Sequence, residues 1–217
     1  MRRLFSFFVA IFIVTAAMAQ SVENVEKIFL KGMSAYEDEM YSEAIGYFKN
    51  AASNGYAPAQ YQYGLCYYLG HGVKSNDQKA VEWFEKAACQ GYASALYQLG
   101  QCYENGEGVK KDMNKALECY EKASKKGYGL ATFRIGECYA SGYGVNKNDK
   151  KAFKLYKKAA KQGLSRAKTE IGICYVEGTG VKKNEKKGRK YLEDAEAEGD
   201  STAFMILQTY DRFFSKE

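Results

Sequence analysis

The chain has 217 residues, 46% of them hydrophobic, which is ample apolar material for one ordinary domain and excludes a disordered polymer. Its formal net charge of +6 is too modest to name a class of partner. A single proline, Pro58, against 21 glycines suits short helices interrupted by glycine rather than loops stiffened by proline.

The N-terminus reads as an export leader. Arg2 and Arg3 are followed by the nearly unbroken apolar run Leu4 to Val14, then by the small-x-small site Ala17-Met18-Ala19. Cleavage after Ala19 makes 1–19 a signal peptide and takes the charge from +6 to +4 by removing the two arginines. The apolar run is shorter than the about 20 residues a membrane span needs. An exported protein, periplasmic or secreted, with no transmembrane segment after cleavage is therefore expected, and an uncleaved anchor is the lesser alternative. No cysteine stands at the cleavage point, which disfavours lipid anchoring.

Residues 20–56 place Gly32, Ala44, Phe48 and Ala51 on what reads as a helical hairpin, with a Gly-to-Ala interval of 12. From there a 36-residue period governs the chain. Gly55, Gly91, Gly127, Gly163 and Gly199 are each 36 apart, as are Gly64, Gly100, Gly136 and Gly172, and the columns beginning at Cys66, Tyr67 and Val73. Within a unit, Ala59, Tyr63, Gly64 and Tyr67 form a stripe on one helix. Paired glycines such as Gly70 and Gly72 then supply positive-φ turns. Asn76, Asp112, Asn148 and Asn184 suit N-caps of a second helix bearing Ala80, Phe84 and Ala87 or their equivalents. Small residues at Gly64 and Ala80 allow the two helices close approach, and the aromatics are expected to seal the contact with the next unit. Units 57–92, 93–128, 129–164 and 165–200 follow, and 201–217 reads as a C-terminal capping helix. The expectation is an all-α, right-handed α-solenoid of two-helix 36-residue repeats.

The pattern Ala59, Tyr63-Gly64, Tyr67, Gly70-x-Gly72-Val73, Lys79-Ala80, Trp83-Phe84, Ala87-Ala88, Gly91 resembles the Sel-1-like repeat. The fourth unit departs, with Gly188 and Glu196 where the others have alanine, which suggests a looser unit. The 20–56 hairpin is similar to a tetratricopeptide repeat. Family resemblance implies a non-catalytic adaptor that binds proteins, although fold alone does not fix function.

Six cysteines in an exported chain invite a disulfide reading. Four stack in one column, however, and neighbouring hairpins sit roughly 10 Å apart, whereas a bridge needs Cα atoms within about 7 Å. All six are expected to be small buried hydrophobes, with the pair Cys102 and Cys119 left open. The same spacing argues against a zinc site, whose ligands converge within about 2.3 Å of the metal. No cofactor is expected. The single histidine, His71, reads as an exposed loop residue, which leaves no Ser-His or Cys-His pairing for catalysis. Weak β-lactamase activity, attributed to some cysteine-rich relatives of the resembled family, finds no serine nucleophile motif here and is a distant third reading.

The first helices are expected to line the concave side. Phe29, Tyr61, Tyr97, Phe133 and Thr169 lie three residues before each column glycine, on a face free of packing, and Tyr36, Leu65, Tyr68, Gln101, Glu104, Glu137 and Ile173 extend it. Rigid aromatics among polar residues suit recognition of a peptide or partner protein, and packing of the rings on one another is the equal alternative. A monomer is expected. A different candidate surface lies toward the C-terminus, where Lys147 to Lys190 holds 15 Lys/Arg, including Lys150, Lys154, Lys157 and Lys158. It suits an anionic envelope polysaccharide or lipid headgroup, or simply a solvated face. Nucleic acid is not an expected partner of an exported chain.

Overall fold

The cap chemistry written in the sequence sets the second helices. In the computed structural model, which describes residues 23–214 and side chains as far as 209, Asn76 accepts from the Lys79 amide at 2.9 Å. Asp112 accepts from the Asn114 and Lys115 amides at 3.1 Å each, and Asn148 and Asn184 from the Lys151 and Lys187 amides at 2.9 Å each. Each satisfies an amide that the first turn of a helix leaves without a backbone partner. The expected signal peptide lies outside the described residues.

The helices are α1 (23–37), α2 (Tyr41–Ser53), α3 (Ala57–Leu69), α4 (Asp77–Cys89), α5 (Ala93–Asn105), α6 (Met113–Lys125), α7 (Gly129–Ser141), α8 (Asp149–Lys161), α9 (Arg166–Glu177), α10 (Glu185–Ala197) and α11 (Ser201–Phe214). No strand occurs among the described residues. The fold is all-α, with consecutive helices paired as hairpins, as the 36-residue period predicts.

Two units divide the chain. One runs to Ala95 and includes the turn Gly106–Lys110; the other comprises Leu96–Asn105 and Lys111 onward. In the first, Ala35, Ala44, Phe48, Ala59, Tyr63 and Cys66 form the core. In the second, Phe133, Ala152, Tyr156, Ala167 and Ile171 form one cluster, and Leu192, Ala195, Ala203 and Leu207 seat α11.

The glycine column on the first helices admits an aromatic ring from the same hairpin. A Cβ on Gly64 would stand 2.7 Å from the Phe84 ring, and one on Gly136 2.7 Å from the Tyr156 ring. Phe84 and its equivalents thus fill the gap inside their own hairpin, and the same rings share the core with the next one, as Phe48 does with Ala59 and Tyr63 and Tyr156 with Ala167 and Ile171. Gly32 meets Phe48 the same way in the N-terminal hairpin, where a Cβ would lie 2.8 Å from the ring.

Contact between successive hairpins uses the second turn glycine. Gly72 (φ +73°) lies against the Tyr41 carbonyl, Gly108 (φ +68°) against that of Asp77, and Gly180 (φ +72°) against that of Asp149. A loop therefore docks on the N-terminus of the preceding second helix. In the fourth repeat, a Cβ on Gly188 would lie 2.6 Å from Val176 Cγ2 and 2.7 Å from the Gly172 carbonyl oxygen. The departure read from sequence as looseness is, at this position, a closer approach of two helix backbones.

Candidate partner-binding face

The aromatic column of the first helices is built into ring stacks. Phe29 lies 5.9 Å from Phe48 and 5.3 Å from Tyr56, and Tyr61 lies 5.8 Å from Phe84 and 5.5 Å from Tyr92. In the second unit Tyr97 is 5.5 Å from Tyr120 and 5.4 Å from Tyr128, each centroid to centroid. Each ring is wedged between the aromatic of its own second helix and the residue that leads into the next first helix. Phe133 keeps the first neighbour, Tyr156 at 5.4 Å, and has the Arg166 guanidinium over its face at 5.2 Å. The reading that this column is free of packing is therefore corrected. Phe133 is 4% exposed, and Thr169, whose hydroxyl donates to Asp200 at 2.8 Å, is 1% exposed. Phe29, Tyr61 and Tyr97 remain half-buried, as do Tyr36, Leu65, Tyr68, Gln101, Glu137 and Ile173.

Tyr36 reaches His71, its hydroxyl 2.7 Å from Nδ1, and the His71 ring stacks on Tyr41 at 4.3 Å. His71 is thus a half-buried anchor of its turn, a correction to the exposed loop residue read from the sequence.

In the second unit the polar residues of the face organise around Glu104. Its carboxylate, 5% exposed, accepts from the Tyr120 hydroxyl at 2.6 Å and from Arg134 Nε at 3.1 Å, with a further bond from Arg134 Nη2. Arg134 also donates to Glu137 at 2.9 Å. Burial alone raises a carboxyl pKa, but the bonds from Arg134 and Tyr120 outweigh it and hold Glu104 below its ordinary value. Burial, then the bond to Glu104, pushes Tyr120 up.

One repeat later the same columns hold Ala140, Tyr156 and Glu170 in place of Glu104, Tyr120 and Arg134. They border an open cleft of about 330 Å³ lined by Glu137, Ala140, Ser141, Tyr156 and Glu170. Burial first, then the neighbouring Glu137, raises the Glu170 carboxyl above its ordinary range. Sequence reasoning did not single out Tyr120, Arg134, Tyr156 or Glu170. The signal was present as breaks in two columns, Glu104 to Ala140 and Arg134 to Glu170.

A lysine of each second helix covers the tyrosine of its own first helix: Lys79 over Tyr67, Lys115 over Tyr103, Lys151 over Tyr139 and Lys187 over Tyr175. These recurrent cation–π contacts cap the hairpins. Lys150, Lys154, Lys157 and Lys158 are exposed on α8. Lys158 donates to Ser124 Oγ at 3.0 Å and Lys157 stands 5.9 Å from the Phe153 ring, whereas Lys150 and Lys154 have no ion-pair partner among the described residues.

No disulfide joins any of the six cysteines, Cys102 and Cys119 included. Five are buried, but Cys89, at the last position of α4, is exposed, which corrects the expectation that all six are buried. Burial pushes Cys66 and Cys174 up to about 12 and Cys138 to about 11, so these stay protonated and unreactive at neutral pH. Ellman's reagent should therefore modify one thiol rapidly in the native chain and six after denaturation. Rapid modification of two or more native thiols would show that the buried column opens. No group of three metal-ligating side chains forms among the described residues, and none of their helices is long and apolar enough to cross a membrane.

The family model described as Sel1 repeat matches residues 30–56, 57–92, 93–128, 129–164 and 165–200. The chain belongs to the Sel1 repeat family. The match takes in the N-terminal hairpin from residue 30 as well as the four regular units. Among solved structures, the chain is similar to c5321, a protective antigen of uropathogenic Escherichia coli with the SLR fold, at 30% identity and a TM-score of 0.76 over 82% of this chain and 39% of that one. It is also similar to a Sel1 repeat protein from Oxalobacter formigenes, at 32% identity and a TM-score of 0.72 over 79% of this chain and 49% of that one. It thus spans less than half the length of either relative. No curated protein sequence matches it. Sel1 repeat proteins are generally protein-interaction scaffolds and typically non-catalytic.

Proposed function

We propose that this Sel1 repeat protein is an exported, non-catalytic scaffold that holds a protein or peptide partner on the faces of its first helices. The observation that supports this most is the way Tyr61 and Tyr97 are presented: each is half-buried and wedged between two further rings. A side chain already fixed by packing loses little rotamer freedom when a partner covers its exposed edge. Leu65 and Gln101 stand four residues further along the same helices and offer apolar and polar contacts beside the rings. The leader-like first 19 residues support export, and the lack of a nucleophile–base pair in the sequence supports a binding role.

Because the rings are packed, alanine at Tyr61, Tyr97 or Phe133 would disturb the fold and blur the test. The better experiment places a photo-crosslinking amino acid at Leu65 or Gln101, and separately at Glu82 or Lys154 on second helices, in the source cell. Attachment to one protein from the first pair of positions and not from the second is expected. Attachment only from Lys154, to polysaccharide or lipid and lost on raising salt, would overturn this reading in favour of the basic face of α8.

A further inference from the structure

We infer that the cleft bordered by Ala140, Tyr156 and Glu170 receives an arginine side chain of the partner protein; this rests on the scaffold reading and names the chemistry of one of its contacts. The preceding repeat serves as an internal template. There the equivalent positions are filled from within the chain: the Tyr120 hydroxyl and the Arg134 guanidinium converge on the Glu104 carboxylate. One repeat on, alanine replaces the glutamate and glutamate replaces the arginine. Tyrosine is retained. The cleft therefore keeps a carboxylate and a phenol, and the guanidinium that Arg134 supplies in the preceding repeat has no counterpart in its column.

Two features of the lining point to a ligand. Tyr156 is 4% exposed, lines the cleft, and its hydroxyl has no hydrogen-bond partner among the described residues. The Tyr156 oxygen is not sealed off from solvent: it opens on the cleft, where it is available to a ligand. Glu170 is half-buried and has no ion-pair partner among the described residues, whereas Glu137 beside it is held by Arg134 at 2.9 Å and faces Arg166 at 3.8 Å. Desolvation without a paired cation, with Glu137, Glu177 and Asp200 pushing the same way and Arg166 opposing, keeps the Glu170 carboxyl above its ordinary range. A guanidinium has planar donors that bridge a carboxylate and a second acceptor, and it is weakly hydrated, so it suits a half-buried cleft better than an ammonium does. At about 330 Å³ the cleft falls at the small end of ligand clefts, about 300–1,000 Å³, and admits one side chain with its water.

The test uses the full chain with ¹³C-labelled glutamate side chains, titrated with N-acetyl-L-arginine amide and with its neutral isostere N-acetyl-L-citrulline amide. The arginine probe is expected to shift the Glu170 carboxyl resonance and to lower the pH at which it titrates. Binding should be at least tenfold weaker for citrulline and for Glu170→Gln. The double variant Ala140→Glu/Glu170→Arg rebuilds the residue pair of the preceding repeat, so it should fold with unchanged helicity and lose the probe. Retained binding in that variant or in Glu170→Gln overturns the inference. So does a natural partner still crosslinked from Gln101 with undiminished yield in the double variant, and that outcome leaves the scaffold reading standing.

Discussion

Replacing Gly180 by alanine is expected to destabilise the chain by about 2–5 kcal/mol, whereas the same change at Gly163 should cost about 1–2 kcal/mol, the left-handed backbone penalty by itself. Both glycines have positive φ, +72° at Gly180 and +89° at Gly163, so both substitutions incur that penalty. They differ in surroundings. A Cβ on Gly163 meets nothing within 4 Å, but one on Gly180 would lie 2.2 Å from the carbonyl oxygen of Asp149 and 2.5 Å from its carbonyl carbon. The obstacle is helix backbone, which cannot rotate aside as the end of a long side chain can. Relief requires the turn to lift from the start of α8, and that contact joins the third and fourth repeats. Because repeats are held by their neighbours, α9 and α10 should lose amide protection before the remainder of their unit. Urea denaturation of both variants, with hydrogen exchange, checks this. Equal costs at the two sites would mean that the close approach of turn to helix is not a constraint.

The parts of the molecule that were legible in the sequence depend on local chemistry. Asn76, Asp112, Asn148 and Asn184 announce caps because the capped amide lies two or three residues away. Gly64 announces close packing because it recurs with the same period as the small Ala80 of the second helix, although the Phe84 ring that fills the gap beside it is shown only by the fold. The face of Tyr61 was not legible in the same way. Its neighbours Phe84 and Tyr92 lie on α4 and just before α5, and the angle at which helices cross decides whether a ring facing away from its own stripe meets solvent or another ring. His71 was misread for a similar reason, since its stacking partner Tyr41 belongs to the preceding hairpin. The column breaks at Ala140 and Glu170 stand in the sequence, yet only the fold shows that these columns, 30 residues apart on successive first helices, meet at one place, as Glu104 and Arg134 do.

That meeting point carries the second large effect. Glu104→Ala is expected to cost about 2–4 kcal/mol: breaking a buried ion pair typically costs about 3–5 kcal/mol, and the figure is reduced because the Arg134 side chain is 34% exposed and keeps Glu137 as a second partner. Tyr120 accounts for much of the loss. It is fully buried, and without Glu104 its hydroxyl has no acceptor in reach. Tyr120→Phe by itself should cost about 1–2 kcal/mol. The double variant should then cost at least about 1 kcal/mol less than the two single costs added together, because each single change strands the group that the double removes. Acid sharpens the test. The Glu104 carboxyl titrates below its ordinary value of 4.5 in the folded chain, so its contribution is fully present above that value and is lost as the pH falls through the folded value. The stability gap between parent and Glu104→Ala should therefore be constant near neutral pH and close in acid. Additive costs in urea denaturation, or a gap that does not change with pH, would remove the Glu104, Tyr120 and Arg134 network as a source of stability and, with it, the template from which the arginine cleft is read.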